Sequence, residues 1–319
     1  MKNREITHVC MVETVYTLFL YMLLVGEEDF EHTFFFCSLS LPVEIREKLP
    51  QSHCFKLPQK RYKRWLFRIF LYYTSPLRWR FIKRSVIYGS DNYLFSSGIV
   101  RNNSLIIVED GTSNYSLTCV NSKMYVLRKW LMGIIAAHGC GGRAPNVIKI
   151  FLTGLLPIPA EIGSKVELFS IRGRWENLSV SYQKKILNLF SLSFNVIQDL
   201  RRYSEILFTQ PMYEDGLLRK EEEIALYKQL LSDCDKRKLV IKVHPRDCLD
   251  YQKLFPEAYI LNTKVPMELL SICGVQFKEV YTVFSTAALS LPYKANIHFL
   301  GTSVHPNLLI NRGLIEYNG

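Results

Sequence analysis

Short apolar runs alternate along this chain with stretches whose apolar positions recur every three or four residues. The runs at 6–12 (ITHVCMV), 32–39 (HTFFFCSL), 85–90 (SVIYGS), 104–110 (SLIIVED) and 165–171 (KVELFSI) are rich in β-branched and aromatic residues and predict strands. The runs at 205–211, 238–245, 258–263, 279–285 and 296–302 predict a second set. Between these, 219–234 and 266–273 carry helical patterns. The stretch 15–25 (VYTLFLYMLLV) is apolar throughout and reads as a buried helix after the first strand. It is shorter than the roughly 20 residues that a bilayer span requires. The acidic GEEDFE after it makes a poor signal-cleavage site. Strand alternating with helix predicts an α/β fold of parallel sheets covered on both faces. A helical stretch at 181–204 precedes a fresh strand, so a boundary is placed near residue 203. This gives two Rossmann-like domains, 1–203 and 204–319, within a length that suits about two domains.

Charge adds a constraint on partners. Forty Lys and Arg against 29 Asp and Glu leave +11, which attracts nucleic acid, anionic lipid or a phosphorylated small molecule. Much of it falls in 60–84 (KRYKRWLFRIFLYYTSPLRWRFIKR), where cations interleave with aromatics. Such a segment suits a helix at a membrane surface, a basic helix over the core, or an RNA-binding patch. No RNP, KH or zinc-knuckle signature supports the last. The eight cysteines are scattered without a CxxC, which fits reduced thiols in the cytoplasm better than a disulfide framework or a zinc site. The DCD at 233–235 has a metal–nucleotide spacing but sits in a polar connection, and the glycine-rich 137–145 lacks GxGxxG or Walker spacing and reads as a flexible loop.

In open α/β sheets ligands bind beyond the carboxyl ends of strands, and four such ends carry usable chemistry. After 104–108, Glu109 and Asp110 precede Gly111; a carboxylate there serves as a general base or merely closes an Asx turn. After 205–208 come Gln210, Pro211, Glu214 and Asp215, ahead of a helix with an acidic first turn. In LVIKVHPRD (239–247), alternation places Leu239, Ile241 and Val243 on one face and Val240, Lys242 and His244 on the other. Pro245 cannot extend the ladder, so His244 is displayed at the strand end between Lys242 and Arg246. Its imidazole either serves a leaving oxygen or phosphate, or is a hydrogen-bonded structural histidine. After 279–283, Phe284, Ser285 and Thr286 precede AALSL, which reads as the start of a helix; the hydroxyls suit a phosphate or a plain N-cap.

Taken together, VEDGTSNY, TQPMYED, KVHPRD and YTVFSTAAL resemble the motifs of bacterial sialyltransferases of glycosyltransferase family 52, the lipooligosaccharide and capsular type. The resemblance spans about 105 to 300. It implies a GT-B fold with the active site in the cleft between two Rossmann-like domains, the first on the acceptor side and the second binding the CMP-sugar. It implies inverting transfer of sialic acid from CMP-sialic acid to an oligosaccharide acceptor, with no metal and no cofactor. His244 would assist the departing CMP. Ser285 and Thr286 would hold its phosphate, with Lys242, Pro245, Arg246, Phe284, Gln210, Pro211, Glu109 and Gly111 around the nucleotide sugar. The base would be Asp110, or an acid of the second-domain loop, here displaced to Glu214 or Asp215. The resemblance further implies a homodimer; with the basic-aromatic 60–84, the expected place is the cytoplasm with peripheral contact at the inner face of the membrane, and no nucleic acid partner. A related transferase with another sugar donor, and a non-catalytic basic membrane- or RNA-binding protein, are the competing readings.

Overall fold

The computed structural model describes residues 5–115, 122–138, 141–244, 246–261, 264–288 and 291–317. The chain divides into two units, Met1–Leu189 and Phe190–Gly319. The first runs β1 (His8–Val12), α1 (Val15–Glu31), β2 (Thr33–Ser38), α2 (Val43–Arg46), β3 (Ser52–Phe55), α3 (Arg61–Arg78), β4 (Val86–Gly89), α4 (Ser96–Ile99), β5 (Leu105–Val108), α5 (Ser122–His138), β6 (Val147–Leu152), α6 (Ala160–Gly163), β7 (Val166–Leu168), α7 (Ile171–Glu176) and α8 (Val180–Leu189). The second runs α9 (Phe194–Leu200), β8 (Glu205–Phe208), α10 (Lys220–Leu230), β9 (Leu239–Lys242), α11 (Tyr251–Leu254), β10 (Tyr259–Leu261), α12 (Met267–Ile272), β11 (Glu279–Thr282), β12 (Asn296–Phe299) and α13 (Pro306–Arg312).

The strands are short and apolar because they are covered on both faces. β1 is buried at every position after His8, and β8 at all four; such continuous runs mark the middle of parallel sheets. The first sheet has the order β3-β2-β1-β4-β5-β6-β7 and the second β10-β9-β8-β11-β12. Every strand pairing in both is parallel. Strand order therefore reverses between β1 and β4 in one sheet and between β8 and β11 in the other. At those points successive crossovers leave in opposite directions, and a crevice opens at the carboxyl edge.

Several elements depart from the sequence expectation. β3 and β6 carry His53 and Lys149 within them, and these polar interruptions hide both strands from a hydrophobicity reading. The helix expected over 181–204 is two helices, α8 and α9, broken where Ser191 takes φ 54°. Past β11, Thr286–Ala288 form a 3-10 turn, and 289–290 of the expected helix start lie outside the described residues. Among the described residues no helix is long and apolar enough to cross a membrane.

The core of the first unit joins sheet residues such as Met11, Ile107 and Ile150 to an aromatic cluster in which Phe36 and Trp79 meet edge-on at 4.8 Å. The second unit centres on Leu207, Ile241 and Val283 with Tyr227 and Tyr251. The helix α3 buries Leu71 and Tyr72 but also carries a second apolar stripe outward. Tyr62, Leu66, Phe70, Tyr73 and Leu77 share one face by helical spacing and are all exposed. The opposite face holds Arg64, Arg68, Leu71 and Ser75 at i, i+4, i+7 and i+11, and there Leu71 and Ser75 are buried.

One glycine controls the edge where β1 and β4 end. Gly89 has φ +136°, and a Cβ there would stand 2.4 Å from the Met11 carbonyl oxygen on the neighbouring strand. Both the backbone conformation and the close approach exclude a side chain. Gly89→Ala is expected to lower stability by about 2–4 kcal/mol, read from urea unfolding; a wild-type midpoint would mean that this strand end yields without cost.

Candidate active site

In the second unit the ends of β8, β9 and β11 surround a cavity of about 280 Å3. Its wall brings together Gln210, Pro211, Asp215, His244, Arg246, Phe284 and Ser285, seven residues that the sequence singled out, and adds Arg312 from α13. The backbone of the first of these is fixed by Tyr227, whose hydroxyl accepts from Gln210 N–H at 2.7 Å. The Gln210 side chain then ties two strand ends together, its Oε1 accepting from Phe284 N–H at 3.0 Å. Ser285 N–H donates to Thr282 Oγ1 at 3.0 Å, so that amide is used internally.

His244 follows β9 by two residues and is pinned twice. Its N–H donates to Thr209 Oγ1 at 2.9 Å, and its Nδ1 accepts from Arg246 N–H at 3.2 Å. A ring whose Nδ1 accepts carries its neutral-form proton on Nε2, so the cavity meets a donor. Burial is the main cause that pushes the imidazole below its ordinary value; the Arg246 cation adds to it and Asp215 opposes it. The ring is therefore held neutral and receptive to an anion.

Asp215 has a different position. Its carboxylate pairs with Arg246 and, at 2.8 Å, with Arg312. The hydrogen bond from Arg246 holds it below the usual carboxylate range. A carboxylate so clamped is a weak base at neutral pH and a strong organiser of two guanidinium groups. Glu214 accepts from Cys248 N–H at 2.8 Å, and Lys242, half-buried, is pushed down to about 8 by burial, with Glu268 opposing. Neither lines the cavity. Pro245 lies outside the described residues, and the side chain of Thr286 is not among those described.

In the first unit the carboxyl edge of β1, β4 and β5 holds a second group. Glu109 is fully buried and spends both oxygens on its neighbours: Tyr16 at 2.7 Å, Tyr115 at 2.7 Å and Thr153 N–H at 2.6 Å. It locks the end of β5 to the end of β6. Asp110, the next residue, faces hydroxyls rather than cations: Thr14 and Thr17 donate to its Oδ1 at 3.1 and 2.9 Å. Its N–H donates to Asn114 Oδ1 at 2.8 Å, and Gly111 follows with φ +67°, as a turn after the strand demands. Burial raises the Asp110 pKa, partly offset by the threonine hydrogen bonds. The glycine stretch after α5 is tied down at its described end, where Gly141 and Gly142 N–H both donate to Asp91 at 2.9 Å. Those amides are not open to a phosphate.

Two site residues escaped the sequence reading. Arg312 lies on the last helix, far from any strand end. Glu13 directly follows β1, a strand end like the other four, but a lone carboxylate before an apolar helix carries no motif. Its Oε1 is buried without a hydrogen-bond partner, and its carboxyl is pushed up to about 7, first by burial and then by the Asp110 charge. Ser38 and Arg64 pull the other way. Glu13 and Asp110 thus titrate as neighbours. The DCD stretch is structural: Asp235 accepts from Arg237 N–H at 3.2 Å. Among the described residues no His, Cys, Asp and Glu group is arranged to hold a metal ion.

Comparison with known proteins adds to this geometry. The family model described as Glycosyltransferase family 52 matches residues 42–308. An uncharacterised protein of Haemophilus influenzae is 38% identical over 236 residues, 74% of each chain. Among solved structures, the GT-B domain of a sialyltransferase from Photobacterium damselae superimposes with a TM-score of 0.55 at 12% identity, over 92% of this chain and 90% of that one. The 2,6-sialyltransferase of Photobacterium sp. JT-ISH-224, solved with CMP and lactose, gives 0.59 at 11% identity, over 92% and 71%. At these identities the likeness is one of fold, and that fold is GT-B.

The raised Glu13 pKa has a direct consequence. Between about 4.5, its unperturbed value, and about 7 the folded chain holds a proton that the unfolded chain releases. Stability from this group therefore falls as pH rises through that window. The stability of Glu13→Gln relative to wild type should increase from pH 5 to pH 8, measured by urea unfolding at each pH. A difference that does not change with pH would remove Glu13 from the coupled pair.

Proposed function

Because the chain belongs to glycosyltransferase family 52, we propose that it is an inverting sialyltransferase, moving sialic acid from CMP-sialic acid to a terminal galactose-type hydroxyl of a bacterial surface glycan. The observation that carries this reading is His244, its Nδ1 pinned by Arg246 N–H, in a cavity that Arg246, Arg312, Gln210 and Ser285 also line. An Nε2–H donor among two guanidinium groups suits a departing phosphate. The fold is shared with an enzyme crystallised with CMP and lactose, which supports the same choice of donor and acceptor class.

The chemistry follows from the two groups. The acceptor oxygen attacks the anomeric carbon while the bond to the CMP phosphate oxygen breaks on the opposite face, which inverts the centre. Asp110 takes the acceptor proton. Its burial and its neutral hydroxyl partners leave it more basic than Asp215, which two arginines hold ionised. His244, neutral, donates a hydrogen bond from its Nε2–H to the leaving phosphate as negative charge develops there, and CMP departs as the anion. Arg246 and Arg312 neutralise the monophosphate, and the reading calls on no metal or cofactor. Each acid or base role is worth roughly 10²–10⁴ in rate.

The exposed apolar face of α3 supports peripheral contact with the cell membrane. Tyr62, Leu66, Phe70 and Leu77 stand out on a helix flanked by cations, which suits an anionic lipid surface.

Purified protein given CMP-sialic acid and lactose is expected to form sialyl-lactose and CMP. His244→Ala and Asp110→Asn should each cut kcat by about 10²–10⁴ with unfolding midpoints retained. Turnover of a different nucleotide sugar in place of CMP-sialic acid would reassign the donor; full activity of His244→Ala would overturn the mechanism. Vesicles containing phosphatidylglycerol should sediment the wild type and release Leu66→Glu/Phe70→Glu; equal sedimentation of the two would free α3 of that role.

A further inference from the structure

A larger cavity lies in the first unit, about 420 Å3, between α3 and α5. Arg64, Arg68 and Trp65 of α3, Arg128 of α5, Gln59 and Leu94 line it, and among these residues none carries a carboxylate. Arg68 and Arg128 are partly buried and Arg64 is exposed. Arg64 and Arg68 continue the inner stripe of α3, the one that buries Leu71 and Ser75 further along. There the helix lies tight against α4, since a Cβ on Gly98 would stand 2.4 Å from the Leu71 carbonyl oxygen. At the start of α3 the same face opens into the cavity, and arginine replaces the core residues. Arg128 reaches the cavity from the other helix, with its guanidinium 5.6 Å from the centre of the Trp65 ring. The two helices are held together by Tyr73, whose hydroxyl donates to the Leu131 carbonyl at 2.6 Å.

Three guanidinium groups lining one concavity give it a positive potential, which favours an anion that enters. Guanidinium forks match carboxylate and phosphate oxygens in pairs, and Trp65 with Leu94 gives an apolar wall of the kind that saccharide rings pack against. The cavity is also close to the chemistry: Arg64 is near enough to Glu13 to lower its pKa, and Asp110 is near enough to raise it.

We propose that this cavity binds an anionic group, a carboxylate or a phosphate, carried on the sugar of the acceptor, so that the enzyme selects a charged glycan over a neutral one. The choice of an acceptor as the carrier rests on the glycosyltransferase reading; the anion site itself does not. The cavity then supplies recognition, while Asp110 takes the proton.

Two measurements separate these parts. Inorganic phosphate and glucuronate, titrated against chloride at constant ionic strength, are expected to raise the unfolding temperature of the wild type, as a ligand of the folded state does. Whichever probe gives the larger rise identifies the anion. Arg68→Gln and Arg128→Gln should lose that rise at least tenfold in probe concentration, and Arg68→Lys should keep part of it. An equal rise in the wild type and both Gln variants, or no rise in the wild type, overturns the site. In the second measurement, kcat/KM is compared for lactose and for lactosides bearing a phosphate or a carboxylate. The wild type should favour a charged acceptor about tenfold or more, equal to at least about 1.4 kcal/mol, and Arg68→Gln should lose most of that ratio. Absence of a preference in the wild type, with the thermal shift intact, would leave an anion site and overturn its link to the acceptor. If no acceptor is turned over at all, the failure belongs to the transferase reading, and the thermal shift still decides the cavity.

Discussion

Both sheets obey one constraint: their strands are all parallel, so every strand ends at the same edge. Where strand order reverses, between β1 and β4 and again between β8 and β11, no crossover covers that edge. Glu13 and Asp110 follow β1 and β5, and Gln210, His244 and Phe284 follow β8, β9 and β11. Within each sheet these residues are separated by tens of positions in the chain, and topology alone gathers them at that sheet's edge. Gly89 shows how tightly the edge is drawn, since even a methyl group has no room against Met11.

The same type of residue is given opposite properties at the two edges. Asp215 is ringed by Arg246 and Arg312 and stays ionised, a structural anion that aims cations. Asp110 is buried, which raises its pKa, and threonine hydroxyls offset only part of that rise. A cation neighbour favours the charged carboxylate, whereas burial disfavours it. In the proposed reaction this difference suits one acid to support and the other to proton transfer. Glu109, the immediate neighbour of Asp110, shows a third outcome: it is consumed entirely by Tyr16, Tyr115 and Thr153 and sets the position of the residue that follows.

The excess positive charge is likewise not spread evenly. In α3 it is divided by helical geometry, with an outer apolar stripe edged by cations and an inner stripe whose first two members, Arg64 and Arg68, enter a cavity. A count of Lys and Arg over 60–84 cannot separate these faces. The periodicity of the helix and the depth of its packing can.

The sequence by itself determined the class of fold and the strand ends worth inspecting, because a buried parallel strand must be apolar and must stop where polar, turn-forming residues begin. The runs that became β1, β5, β8, β9 and β11 announce themselves in this way, and so do EDG, HPRD and FST after three of them. Alternation also put Leu239, Ile241 and Val243 on one face, and the three pack in one hydrophobic cluster. What the sequence did not carry was anything that depends on distance through space. β3 and β6 were hidden because a strand held by its neighbours tolerates His53 or Lys149. Arg312 joined the cavity because α13 folds back toward the loop after β8. The clamp on Asp215 and the raised pKa of Glu13 each follow from a contact between segments remote in the chain, and the tautomer of His244 from the turn that brings Arg246 N–H back to its ring. Local pattern records which residues are buried or turned, but ionisation and hydrogen-bond direction are properties of neighbours, and only the tertiary structure chose them.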